Sequence, residues 1–217
     1  MNILDLLDAE SFNGNSRFPF YFIKDNIVIA NGKCGSKTLQ TVSDRSWHSS
    51  IITSKEFLSK IDQGYKLHFV IRDPVSRFRS GILEDWCVNM HYYNRNYDAD
   101  RIDVNSFVLY RLSVINAALV YSQEYHISNW LSRITDTVYA IPKNKTYRIW
   151  KLEELPTLLL SLGFSSTTRI TDTKDKSCVK FLEKYDNLPK ITVDMIQEYL
   201  KSEIQIYNRL IELREQI

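Results

Sequence analysis

The chain has 217 residues, with 28 lysines and arginines against 26 aspartates and glutamates, a net charge of +2. Hydrophobic residues at 44% and charged ones at 25% are globular proportions, which excludes a disordered, collagenous or coiled-coil protein. So small a net charge argues against a broad nucleic-acid face, leaving a small anion held at a local site. No repeat, low-complexity linker or composition break divides the chain, so one domain over residues 1–217 is expected. Cys34, Cys87 and Cys178 are an odd set without metal-ligand spacing, which speaks against a disulfide framework or structural zinc. No uncharged apolar run reaches the ~18 residues of a membrane span. The N-terminal stretch has acids where a signal peptide has a basic flank. A cytoplasmic, soluble protein without a membrane partner is the expectation.

In chain order, residues 19–30 read as two short strands meeting at Asp25-Asn26, because β-branched and aromatic residues flank a turn-type pair. The second strand runs into Asn31, Gly32, Lys33, Cys34, Gly35, Ser36, Lys37 and Thr38, and then into a helix. Residues 67–71 predict another strand, closed by Arg72-Asp73-Pro74, and proline there opens a helix over 75–86. A mostly buried helix is expected over 105–125, opened by Asn105 or Ser106, with Val108, Leu112, Ile115 and Leu119 in line. Strands follow near 137–141 and 146–151, then a short helix from Glu153 to Leu162 stopped by Gly163, and a last helix over about 192–215. Alternating strands and helices imply an α/β protein with a largely parallel sheet covered on both faces. Ligands of such sheets bind beyond the carboxyl ends of the strands, where both 31–38 and 72–80 fall.

The loop from Gly32 to Thr38 is the most informative segment. Glycines let backbone N–H groups close on an anion, a helix N-terminus adds its dipole, and Lys33, Lys37, Ser36 and Thr38 add charge and hydroxyl donors. That set suits a 5′-phosphate; an ordinary strand-to-helix turn with solvated lysines is the plain alternative. It is not a Walker loop, because Ser36 rather than glycine precedes Lys37, so a P-loop kinase is the weaker reading.

The second segment, His68 through Arg72, Asp73 and Pro74 to Ser80 and Gly81, is an apolar strand ending in Arg-Asp-Pro with a serine eight residues past the arginine. With both loops in this order, the chain resembles the sulfotransferases that use 3′-phosphoadenosine 5′-phosphosulfate (PAPS), closest to the carbohydrate sulfotransferases. In that family a Pro-Lys-x-Gly-[Ser/Thr]-x loop after the first strand holds the 5′-phosphosulfate, and Arg-Asp-Pro with the downstream serine holds the 3′-phosphate. Lys33, Gly35 and Ser36 match the first motif, Lys37 stands where some members carry arginine, and Arg72 and Ser80 match the second. Gly32 replaces the family's proline, which loosens the loop. Tyr147 to Leu155 looks like the family's strand leading into a Leu-Glu-x-Leu helix start, and the helix around Tyr199 to Leu210 like its closing helix; residues 82–135 fall outside the resemblance.

The resemblance implies a three-layer α/β/α, P-loop-nucleotide-hydrolase-like fold and sulfuryl transfer from PAPS, without a metal, to a hydroxyl of a sugar or glycan. Lys33 would face the bridging oxygen, with Cys34, Gly35, Ser36, Lys37 and Thr38 around the 5′-phosphate and Arg72 and Ser80 on the 3′-phosphate. The acceptor needs a general base near neutral pH, which suits histidine. His48 lies between the two phosphate motifs and is the leading candidate, with Glu84, His91 and His126 as alternatives; His68, inside a strand, reads as a core residue. Trp86, Tyr92, Tyr93 and Tyr97 are candidates for stacking on sugar faces, or else pack locally. Lys174, Lys176 and Lys180 read as a solvated face. A non-catalytic nucleotide-binding or scaffold protein of the same fold remains the alternative from another class.

Overall fold

The computed structural model describes residues 20–30, 33–44, 59–92, 103–116, 146–165 and 176–215. The chain is mixed α/β, with a four-stranded sheet of β1 (Phe20–Ile23), β2 (Asn26–Ala30), β3 (Lys66–Ile71) and β4 (Tyr147–Lys151) in the order β1-β2-β3-β4. β1 and β2 form an antiparallel hairpin, whereas β2–β3 and β3–β4 are parallel. The hairpin turns at Lys24-Asp25, one residue before the expected pair, because Asn26 already pairs with Ile23. Lys24 takes a left-handed φ of 55°, held by its N–H donating to Asp44 Oδ2 at 2.6 Å and its Nζ to the Leu162 carbonyl at 2.7 Å.

The chain divides into two compact units. The first holds the sheet, α1 (Ser36–Val42), a 3₁₀ turn (Leu152–Glu154) and α4 (Leu155–Ser161). Side chains of β2 and, from Leu67 onward, of β3 are buried on both faces of the sheet, which is why these strands read as mostly apolar runs rather than alternating ones. On one face Tyr21, Ile23, Val28, Ala30 and Val70 pack with Leu39 of α1 and with Leu155, Leu158 and Leu159 of α4. α4 stops at Gly163, as expected, because only glycine takes a φ of 83° without strain.

The second unit is helical. It holds α2 (Pro74–Tyr92), α3 (Val104–Asn116), α5 (Lys176–Asp186) and α6 (Lys190–Glu215) up to Ile204; from Gln205 onward α6 belongs to the first unit. Phe78, Ile82 and Trp86 of α2 meet Val104, Val108 and Leu112 of α3, Phe181 and Tyr185 of α5 and Ile196 and Leu200 of α6. These positions recur at three- and four-residue spacing, the stripe that makes a helix bury one side.

Three expectations are corrected in this unit. The α3 cap is Asp103, whose carboxylate accepts from the Ser106 N–H at 2.9 Å and the Ser106 hydroxyl at 2.6 Å, while the Asn105 side chain accepts from Thr192 Oγ1. α5 was not anticipated, although Cys178, Phe181, Leu182 and Tyr185 carry its apolar stripe. Trp86 is no sugar platform: it is 4% exposed, and its ring stacks on Phe181 with centroids 4.9 Å apart. The expected strand near 137–141, the helix beyond Asn116, and Tyr93, Tyr97 and Lys174 lie outside the described residues. No helix of the described residues is long and apolar enough to cross a membrane.

Two ion pairs are sealed inside the helical unit. Arg77 Nη2 donates to Glu203 Oε1 at 2.9 Å and Oε2 at 3.3 Å, with the arginine fully buried. Arg111 pairs with Asp85, whose carboxyl is pushed up by burial against the opposing pull of that guanidinium. On the surface, Arg79 grips Asp186 through two nitrogens at 2.8 and 2.6 Å.

Candidate functional site

Because β2, β3 and β4 run parallel in adjacent positions, their carboxyl ends open at one edge of the sheet. Past β2 comes the loop of Lys33, Cys34 and Gly35; past β3 comes Arg72; past β4 comes the 3₁₀ turn. The structure joins the first two directly: Arg72 Nη1 donates to the Lys33 carbonyl at 3.1 Å. The two segments singled out from the sequence therefore meet through a charged donor at the sheet edge.

The loop bends sharply. Lys33 and Gly35 are both left-handed, with φ of 67° and 85°. Left-handed residues in a turn swing successive backbone N–H groups toward a common point, the concavity that binds anions. The loop is pinned from below by Cys34, which is 1% exposed and packs in the sheet core with Leu39 and Leu155. Cys34, expected among the residues around the 5′-phosphate, is thus covered, main chain and side chain alike. Lys33, Gly35, Ser36 and Thr38 are half-buried and Lys37 is exposed. The Gly35 carbonyl accepts the Leu39 N–H at 3.0 Å, which starts α1. α1 has only seven residues, so its dipole adds less than a long helix would, and the lysines and loop amides carry the electrostatics.

Three residues just past β4, to which the sequence reading gave no role at the site, shape the loop: Leu152, Glu154 and Leu155. A Cβ on Gly35 would lie 2.5 Å from Leu155 Cδ2 and 3.3 Å from Leu152 Cδ1. Glu154 fixes the turn that carries these leucines: its Oε2 accepts the Lys151 N–H at 2.9 Å and its Oε1 accepts Arg214 Nη2 at 2.5 Å. The Leu-Glu-x-Leu pattern was the available signal. Nearby, burial and the negative charges of Asp73 and Glu153 push the Tyr207 hydroxyl up from its ordinary value.

Gly35→Ala combines a left-handed residue that gains a Cβ with a contact far inside van der Waals range. The two terms together are expected to lower stability by about 2–4 kcal/mol. Urea unfolding reads this as a lower midpoint at unchanged slope. A loss under ~1 kcal/mol would mean that Leu155 yields and the loop is not held as described.

The remaining candidates are placed as follows. His68 is a buried strand residue, as its position predicted. Ser80 and Glu84 are half-buried on α2, in the helical unit, and His91 and Tyr92 lie further along the same helix. His48 and His126 lie outside the described residues. Lys180 is exposed on α5, in line with a solvated face. Compared with known protein families, curated proteins and solved structures, the chain gives no match.

Proposed function

We propose that this chain is a PAPS-dependent sulfotransferase that moves a sulfuryl group to a hydroxyl of a carbohydrate or glycan, on the three-layer fold of that family. The observation that supports it best is the Arg72–Lys33 bond. It sets a guanidinium, whose fork suits phosphate, beside a left-handed, lysine-bearing loop at the carboxyl edge of a mostly parallel sheet.

In this reading PAPS is a substrate. The acceptor oxygen forms the new S–O bond while the bond from sulfur to the bridging phosphate oxygen breaks, leaving its electron pair on that oxygen. Catalysis then rests on alignment and on neutralising the charge that develops there. Lys33 serves the leaving oxygen, the loop amides with Ser36 and Thr38 hold the 5′-phosphate, Arg72 takes the 3′-phosphate, and His48 receives the acceptor proton.

The test is a thermal shift with 3′,5′-adenosine bisphosphate, 5′-AMP, and ATP with magnesium, on wild type and Arg72→Ala. A ligand at 100 times its dissociation constant adds about 2.7 kcal/mol. Wild type should be stabilised most by the bisphosphate, and Arg72→Ala should lose most of its preference for bisphosphate over 5′-AMP. Stabilisation by ATP–magnesium alone would replace the proposal with a kinase. Bisphosphate binding without turnover on any sugar acceptor would replace it with a non-catalytic nucleotide binder.

A further inference from the structure

His68 sits at the centre of a hydrogen-bonded row that crosses three strands. From β4, the Trp150 indole N–H donates to His68 Nδ1 at 3.0 Å. Indole nitrogen is a donor only, so Nδ1 must offer its lone pair and the ring proton must sit on Nε2. Nε2 lies 3.0 Å from Asn26 Oδ1 on β2. The Asn26 amide is itself oriented, its Nδ2 donating to the Ile23 carbonyl at 3.3 Å and to Asp25 Oδ1 at 2.9 Å. Every member of the row thus has one admissible orientation, and the imidazole must be neutral. A second ring proton would set N–H against N–H at Trp150.

Trp150 matters because of what it packs on. Its ring lies against the apolar cluster that contains Cys34, Leu39 and Leu155, the residues that pin the phosphate loop from below. We propose that His68 is a positioning residue for the phosphate loop, holding Trp150 and the apolar floor under Cys34 in place only while its imidazole is neutral.

The surroundings favour the neutral form. Burial is the largest influence, and Arg148 on β4 and Lys66 on β3 add like charge; only Asp25, in the β1–β2 turn, pulls the other way. Together they lower the His68 pKa from 6.5 to about 4. Since the folded value is the depressed one, the unfolded chain binds the extra proton first. This support is therefore complete above pH 6.5 and is lost as the pH falls toward about 4.

The test follows the Trp150 indole N–H resonance, assigned by its absence in Trp150→Phe, and amide hydrogen exchange of residues 33–38, across pH. In wild type both should change together on acidification. Glutamine at this position can accept from Trp150 and donate to Asn26 without titrating, so His68→Gln should keep loop protection at neutral pH and lose the acid step. His68→Phe, which cannot accept the indole proton, should speed exchange at 33–38 by roughly tenfold at neutral pH, the effect of one lost buried hydrogen bond. A merely structural histidine would instead loosen β1 amides as much as the loop.

Unchanged loop exchange in His68→Phe, or an acid step that persists in His68→Gln, overturns the inference; the glutamine variant decides it if the phenylalanine variant does not fold. A further arm, affinity for 3′,5′-adenosine bisphosphate, rests on the function proposed above and should follow the same pattern. Failure of wild type to bind the bisphosphate at any pH would count against that function and leave the exchange measurements to judge His68.

Discussion

Under the sulfotransferase activity proposed above, Lys33→Ala is expected to cut sulfuryl transfer by ~10²–10³ while leaving the unfolding midpoint close to wild type, the cost of removing one preorganised donor from developing charge. The reason lies in how the residue is held. Its backbone is left-handed, and its carbonyl receives Arg72, so the main chain at this point is fixed from outside the loop. Alanine meets the same backbone demand as lysine and keeps the same carbonyl. What disappears is the ammonium. Its absence should be felt in kcat far more than in KM, because the charge it opposes grows only as the sulfur–oxygen bond breaks. Single-turnover assays would separate the two. Near-normal turnover in the variant would remove Lys33 from the chemistry and leave the loop as a nucleotide-holding element.

The largest effect on stability is expected at the Arg77–Glu203 pair. With Arg77 fully buried and Glu203 1% exposed, neither charge can turn to water when its partner goes. Arg77→Met or Glu203→Leu alone should therefore cost about 3–5 kcal/mol, enough to unfold a marginal domain. The double variant should recover much of that loss, since no uncompensated charge remains. Chemical denaturation of the three variants gives the comparison as a double-mutant cycle. If the double loses as much as the two singles added together, the pair is not coupled and the destabilisation comes from packing.

Much of the sheet unit was legible because its signals are local. Apolar runs meeting at Asp25-Asn26 and closed by Arg72-Asp73-Pro74 marked the hairpin, with its turn placed one residue late, and β3, and Gly163 marked the end of α4. His68 was legible as core from its place in a strand, but its partners were not. Asn26 and Trp150 reach it diagonally across β2 and β4, and that depends on register rather than on neighbours in sequence. The same holds at the candidate site. That the loop and Arg72 both lie past strand ends could be read from the sequence; that one guanidinium bonds the loop's carbonyl could not, nor that Leu155 fills the space behind Gly35.

In the helical unit the errors came from weighing composition above spacing. The lysines around α5 suggested a solvated stretch and hid the stripe of Cys178, Phe181, Leu182 and Tyr185. The mixed residues around Trp86 left sugar stacking and local packing both open, and the four-residue spacing of Phe78, Ile82 and Trp86, all buried, was the signal for packing. Asn105 and Ser106 are good capping residues, but Asp103 precedes the helix and captures both the Ser106 N–H and its hydroxyl.

The strand order carries a consequence for how the chain reaches this state. β1 and β2 are joined by a two-residue turn and can pair within microseconds of collapse, as hairpins do. β3 and β4 are the opposite case: Leu67 pairs with Tyr147 across the whole intervening stretch of α2 and α3, so their pairing must wait for a long loop to close. Yet it is β4 that delivers Trp150 to His68 and carries Leu155 under Gly35. The Lys33–Gly35 loop, though it follows the earliest-forming hairpin, therefore takes its final shape only when the slowest strand docks, and a chain interrupted before β4 would hold the loop's residues without its geometry.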